Sequence, residues 1–251
     1  MAAVKNNSMI NELRNAQGEQ IDFTYHHGRE GAKVIVLIGH GVTGNKDRPF
    51  VVALAEGLAK AGIPAVRFSF SGNGASGGKF SASTVSKEVE DLGAVLDAVP
   101  DRSVCYVGHS MGGAVGVLRA SRDPRIKALV SLAGMVHTKA FAEREFGGVK
   151  PGEGFMWDDT NCPLSQTYMD DMAKIGTVLN DAPKIRVPWL LVHGSEDDVV
   201  PIQDSHDIFA KANDPKQMVE LPGANHVFAG SHTAPMISQV VSWVQALFDL
   251  K

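Results

Sequence analysis

Solid apolar runs alternate with amphipathic stretches along this chain. From Lys33 to Ile38 the sequence carries Val-Ile-Val-Leu-Ile without a polar break, as in a strand covered on both faces. Pro64 to Phe70, Ser103 to Val107, Arg125 to Ala133, residues 188–193 and residues 217–221 read as further strands. Between them the period changes. Thr84 to Val99 sets Val85, Val89, Leu92, Val95, Leu96 and Val99 on one face of a helix. Helices also fit at about Phe50 to Ala61, closed by Gly62, and at 203–212 and 233–249. Near the start, residues 9–15 and 19–26 predict a hairpin across Ala16-Gln17-Gly18. Strands alternating with helices predict an α/β fold with a mostly parallel central sheet and helices on both faces. Ligands in such sheets bind at the carboxyl ends of the strands.

The rhythm fails between about Gly134 and Pro183. That stretch holds Phe141, Phe146, Phe155, Trp157 and Tyr168 but little strand signal, and a bare loop of that length is uncommon. The expected organisation is a core of residues 1–133 and 184–251, with residues 134–183 inserted as a cap over the catalytic end. Trp157 and Tyr168 are candidates to contact an aromatic or acyl group. Packing of the cap onto the body accounts for them equally well.

Composition narrows the class. The chain has 251 residues, 44% hydrophobic and 21% charged, with a formal net charge of −4 and no basic block. Nucleic acid is therefore not an expected partner. Two cysteines make no disulfide framework. No signal core and no run of membrane-spanning length are evident, so the expectation is a cytoplasmic protein without membrane insertion. Asp158, Asp159, Asp170 and Asp171 show no cage pattern, so no metal and no cofactor is assigned. The cap is also a candidate homodimer surface.

The chemistry centres on Gly108-His109-Ser110-Met111-Gly112-Gly113, between the Ser103–Val107 strand and the helix-compatible Ala114 to Ala120. A serine on such a strand-to-helix turn projects its hydroxyl above the sheet, and a Cβ at Gly108 or Gly112 would collide with neighbouring backbone. Serine is a weak nucleophile and needs a base and a group to orient that base. Downstream, the strand ending at His193 is followed by Glu196, Asp197 and Asp198. The last strand is followed by His226, in Pro-Gly-Ala-Asn-His. Only His226, among nine histidines, combines a loop at a strand end with the right chain position. His40 and His193 read as core or turn hydrogen-bonding residues, and His109 as a residue packed beside the nucleophile and facing substrate. Backbone donors for a developing oxyanion are expected from Met111 and from Val42, with Gly41 allowing close approach.

His-Gly-Val-Thr-Gly-Asn-Lys-Asp at 40–47, Phe-Ser-Phe-Ser-Gly-Asn-Gly-Ala-Ser at 68–76 and Gly-His-Ser-Met-Gly-Gly at 108–113 resemble the α/β-hydrolase superfamily over nearly the whole chain. The likeness is greatest to capped esterases, lipases and serine aminopeptidases such as monoacylglycerol lipases and bacterial feruloyl esterases. It implies a cofactor-free hydrolase with an acyl-serine intermediate on Ser110, His226 as base, and Asp197 as the acid, from the spacing His-Gly-x-x-Asp-x-x-Val-Pro. Asp198 is the alternative acid. Relatives often carry Phe-Asp before the Gly-x-Gly-x-Ser loop; here Ser69, Phe70 and Ser71 stand there, which should alter loop anchoring more than chemistry. The expected activity is hydrolysis of small to medium acyl or aryl esters. The same triad serves thioesterases, amide or peptide hydrolases and carbon–carbon hydrolases. A slow-turnover ligand receptor on the same scaffold is the alternative of another class.

Overall fold

The computed structural model describes residues 12–250. Its strands are β1 (Phe23–His26), β2 (Val34–Gly39), β3 (Ala65–Phe68), β4 (Ser103–His109), β5 (Ile126–Leu132), β6 (Trp189–Gly194) and β7 (Lys216–Leu221). Its helices are α1 (Pro49–Lys60), α2 (Val85–Asp97), α3 (Met111–Ala120), α4 (Thr138–Phe146), α5 (Gln166–Ile175), α6 (Ile202–Lys211) and α7 (Thr233–Leu247). The strands form one seven-stranded sheet in the order β1-β3-β2-β4-β5-β6-β7. All neighbours pair in parallel except β1, which runs antiparallel to β3 at the edge.

The uninterrupted apolar runs are central strands, and their alternation divides them between two cores. In β2, Val34, Val36 and Ile38 pack with α1 and α7, while Ile35 and Leu37 pack with α2 and α3. In β4, Cys105 and Val107 join the first core, and Val104 and Tyr106 the second. Covering both faces requires apolar side chains on both, hence runs without polar interruption. Burial also pushes the Cys105 thiol far above its ordinary range, so it packs as a small apolar group. No helix among the described residues is long and apolar enough to cross a membrane.

Among the described residues, the hairpin expected at the start is reduced to a short turn. Residues 9–11 lie outside the described residues. Arg14 and Gln20 form a single antiparallel bridge, and residues from Phe23 onward leave it to pair with β3. Leu13 and Ile21 account for the departure. Their burial anchors the turn, at 3% and 1% exposed, while the sheet edge offers β1 four paired positions, Phe23 opposite Phe68 through His26 opposite Ala65. The third strand also stops two residues early, at Phe68, because the Phe70 N–H turns away to His40 Nε2 at 3.0 Å.

Between β5 and β6 the chain forms α4, a short 3-10 turn at Met156–Asp158, α5 and a second 3-10 segment, Leu179–Lys184. Its aromatics make a nucleus of their own. Phe146 is fully buried, with ring centroids 6.1 Å from Phe141, 4.9 Å from Trp157 and 6.0 Å from Tyr168. Ser165 caps α5 by accepting from the Tyr168 N–H at 3.1 Å. The segment's start is tied to α6, where Asp204 accepts from the Val136 and His137 N–H groups at 2.8 and 3.2 Å.

Candidate active site

Ser110 stands between β4 and α3 with φ 54° and ψ −120°. A residue with a side chain avoids that conformation, which costs about 1–3 kcal/mol. Three backbone hydrogen bonds hold it: Ser110 N–H to the Leu132 carbonyl at 3.0 Å, and the Ser110 carbonyl to the N–H groups of Gly113 at 2.9 Å and Met135 at 3.0 Å. Glycine is required on either side by contact. A Cβ on Gly108 would lie 2.1 Å from the Gly112 carbonyl oxygen, and one on Gly112 would lie 2.5 Å from the His40 carbonyl oxygen. So the turn is tight because β4, α3 and the loop after β2 touch through backbone.

The loop after β7 brings His226 to the same place. Its Nδ1–H donates to Asp197 Oδ2 at 2.8 Å, which leaves Nε2 as the basic nitrogen of the neutral ring. Asp197, from the loop after β6, has a fully buried side chain. Its Oδ1 accepts from the N–H groups of Val199 and Val200 at 2.9 and 2.8 Å. Burial pushes its carboxyl up, but hydrogen bonds from His193 and His226, the latter's charge and the Val200 N–H outweigh it and hold the group well below the usual carboxylate range. Asp198 and Glu196 are solvent-exposed or partly so and make no such contact with His226.

Two further histidines brace this pair. His193 Nε2 lies 3.1 Å from Asp197 Oδ2 and donates to the Val200 carbonyl at 2.9 Å, while its Nδ1 accepts from the Ser205 hydroxyl at 2.7 Å. His109 Nε2–H donates to the His226 carbonyl at 2.9 Å, with the two rings 4.6 Å apart. Burial, then the neighbouring His226, lowers the His109 pKa to about 3. His109 is therefore a neutral, fixed donor, and it also lines the cavity on which Ser110 opens.

The loop after β2 is set by His40. Its Nδ1–H donates to the Gly41 carbonyl at 2.8 Å and its Nε2 accepts from Phe70 N–H, and burial lowers its pKa to about 4. The Gly44 N–H reaches the same Gly41 carbonyl at 3.0 Å. A trans peptide points its C=O and N–H in opposite directions, so fixing the Gly41 carbonyl also fixes the Val42 N–H on the other side. Gly41 itself packs against Ser110: a Cβ there would be 2.6 Å from Ser110 Cβ. Met111 opens α3, where the first N–H groups have no intrahelical acceptor.

Ser110, His109, His226, Gly41 and Val42 line one cavity of about 290 Å³, with Trp157 at its wall. Trp157 is 44% exposed, has φ 48° and donates from Nε1 to Glu145 at 3.1 Å. Tyr168 and Met111 line a separate small chamber, which shares Val42 and Thr43 with the first and is otherwise walled by residues including Asn73, Ser83 and Met156. The Tyr168 side chain is buried and its hydroxyl has no partner. Sequence reasoning missed Arg48, Phe50, Val199 and Val227 as lining residues and the contact of His193 with Asp197. A histidine before the glycine at a strand end was the one available signal. The acid absent at 69–71 is supplied from α2: Asp91 Oδ2 accepts from Ser71 N–H at 2.8 Å, and its Oδ1 from Asn15 at 2.9 Å. Among the described residues no cluster of histidine, cysteine or carboxylate could hold a metal ion.

A parallel sheet with an elbow serine after β4, an acid after β6 and a histidine after β7 defines the α/β-hydrolase class. Residues 34–158 match the model of the alpha/beta hydrolase fold, and residues 161–230 that of the serine aminopeptidase family S33. The chain belongs to the α/β-hydrolase superfamily. It is 26% identical to the uncharacterized protein YfhR of Salmonella typhi, covering 94% of this chain and 84% of that one. Human mitochondrial palmitoyl-protein thioesterase ABHD10 is 25% identical over 62% of this chain and 55% of its own. The structure of Est1E from Butyrivibrio proteoclasticus with ferulic acid bound superposes with a TM-score of 0.81 at 24% identity, covering 94% of this chain and 98% of that one.

Proposed function

We propose that this chain is a serine carboxylic-ester hydrolase acting on small to medium acyl or aryl esters. The observation that carries the reading is the His226 ring, whose Nδ1–H is committed to a buried Asp197 while Ser110 and His226 open on one cavity. In the reaction, His226 Nε2 takes the Ser110 proton as Oγ attacks the ester carbonyl. Asp197 keeps the tautomer and stabilises the imidazolium. The Met111 and Val42 N–H groups hold the oxyanion. The alcohol leaves with the proton from His226, and water then repeats the cycle to release the acid.

Residues 134–183 act as the cap, with Trp157 forming a wall of the substrate site. Gly41 and His109 contact the substrate from below. The cavity, about 290 Å³, stands near the lower limit of ligand sites, roughly 300 Å³, which favours short acyl or single-ring groups. The Est1E complex with ferulic acid is consistent with that substrate class. Thioester hydrolysis is the second reading, favoured by the likeness to the ABHD10 thioesterase.

The test is hydrolysis of p-nitrophenyl esters from acetate to laurate by wild type and Ser110→Ala, beside a matched thioester series. Turnover that vanishes in the variant, with an optimum among short chains, is the expected result. Equal rates in both proteins would refute the serine mechanism. Preference for the thioesters would select the second reading.

A further inference from the structure

The cavity on which Ser110 opens has a single fixed charge in its lining, the guanidinium of Arg48. The histidines around it do not compete for that description: His40 and His109 are held neutral by burial. Arg48 immediately precedes α1 and is solvent-exposed at the cavity rim. Among the described residues its side chain makes one hydrogen bond, from Nη2 to the Thr43 backbone carbonyl at 3.0 Å. A guanidinium carries five N–H donors in a planar fork, so most of its capacity is unspent.

Among the described residues no acid forms an ion pair with it. Asp47, next in the chain, is bonded to Lys46 and Arg67. Asp159 feels the charge of Arg48 but forms no ion pair with it; its own hydrogen bonds go to Asn161 and Cys162. The first turn of α1 contains no acidic residue and starts with Pro49, so the positive end of the helix adds to the same field. This cation stands at the mouth of a mostly apolar cavity in a chain whose net charge is −4.

We infer that Arg48 binds a carboxylate at one end of the substrate, so that the substrates are esters bearing an anionic group. The inference rests on the ester-hydrolase reading and narrows it. Planar two-point pairing with a carboxylate suits the fork, and the apolar wall between Arg48 and Ser110 accommodates the carbon skeleton between the anion and the ester. Pro49 and Phe50 keep the guanidinium near the rim: Pro49 starts the helix at a fixed φ, and Phe50 is buried at 6% exposed against the His109 ring.

The experiment compares matched charged and neutral esters. One arm places the anion on the acid side, the mono-p-nitrophenyl ester of adipic acid against p-nitrophenyl hexanoate. The other places it on the alcohol side, 3-acetoxybenzoate against 3-acetoxybenzamide. The readout is the ratio of kcat/KM for charged over neutral ester in wild type, Arg48→Lys, Arg48→Met and Arg48→Glu. The expected result is a ratio that falls roughly fivefold to tenfold in Arg48→Met in one of the arms, falls further in Arg48→Glu, and is partly kept in Arg48→Lys. The wild-type preference should shrink as sodium chloride is raised. The arm that responds tells on which side of the ester the anion sits. Ratios equal in wild type and Arg48→Glu in both arms would overturn the inference while leaving the esterase intact. Calorimetric titration of Ser110→Ala, with and without Arg48→Glu, using the same four compounds tests binding without turnover. Preference for the charged esters that Arg48→Glu abolishes supports the anion site even in a protein that hydrolyses none of them, in which case only the ester-hydrolase reading fails. No preference there overturns the anion site.

Discussion

Replacing Gly41 by alanine tests whether the loop after β2 is part of the catalytic machinery. Gly41 has no left-handed backbone angle, so alanine is acceptable there on conformational grounds. The obstacle is contact. The added Cβ would lie 2.6 Å from Ser110 Cβ, 3.1 Å from Ser110 Oγ and 3.2 Å from His109 Nδ1. Carbon atoms rest at about 3.5–4.0 Å, so one side must retreat by about 1 Å. Ser110 is held by three backbone hydrogen bonds. The loop is therefore the side that moves, and the Val42 N–H moves with the Gly41 peptide. Misplacement by about 1 Å costs about 10²-fold, and loss of one oxyanion donor about 10²–10³-fold. The expected result is a fall in kcat/KM on p-nitrophenyl butyrate of at least about 10², mostly in kcat. Overpacking costs about 1–3 kcal/mol, and for a chain of this size each kcal/mol lowers Tm by about 2–4 °C, so the variant should remain folded. A folded Gly41→Ala variant with kcat/KM within about threefold of wild type would refute both the clash and the role of Val42.

Two more outcomes follow from the polar interior. Asp197→Asn should keep the fold but lower kcat by about 10³–10⁴, because an amide does not select the Nδ1–H tautomer of His226, whereas Asp198→Asn should stay within about threefold; the reverse order would make Asp198 the acid. Burial, then the adjacent Asp91, raises the Glu88 pKa well above its ordinary value, and its Oε2 has no partner. The folded state thus retains a proton that the unfolded state releases above about pH 4.5, so stability is lost as pH rises from there, at about 1.4 kcal/mol per unit until the folded group ionises. Glu88→Gln should raise Tm relative to wild type more at pH 8 than at pH 5, and an equal difference at both would refute the assignment.

The legible parts of this chain are those whose physics is local. An apolar run without polar breaks implies a strand buried on both faces, and β2, β4 and β6 are such strands. Ser110, Asp197 and His226 were readable because each follows a strand at its carboxyl end, and chain order alone brings such loops together. Of the hairpin expected over residues 9–15 and 19–26, the described residues keep the Arg14–Gln20 bridge, and residues 23–26 pair with β3 because a strand partner is chosen in three dimensions. Arg48 drew no attention in the sequence; what distinguishes it is its place at the cavity rim while the adjacent Asp47 pairs with Lys46 and Arg67, a matter of distances. Tyr168 was noticed as an aromatic, but helix position could not say that its hydroxyl would be buried without a partner.

The acid missing before the glycine-rich loop shows how the anchoring problem is solved from a distance. Four loops must meet above the sheet, and each offers backbone groups that need partners. The loop at 71 finds Asp91 on α2, the loop at 40–44 finds the His40 ring, the loop at 226 finds the His109 ring, and the acid loop finds the His193 ring. Three of these four anchors are imidazoles rather than amides or carboxylates. A neutral imidazole offers one donor and one acceptor at opposite ends of a rigid ring, so a single side chain can tie two backbone segments without adding charge. His40 does so between Gly41 and Phe70, and His193 ties the Val200 carbonyl to the Ser205 hydroxyl. A carboxylate in either place would put a second negative charge near Asp197 and the oxyanion, opposing the charge that develops in the reaction. His40 and His109 stay neutral because burial disfavours their protonated forms, so the scaffold that fixes the loops leaves the cavity's field to His226, to the backbone donors and to Arg48 at the rim.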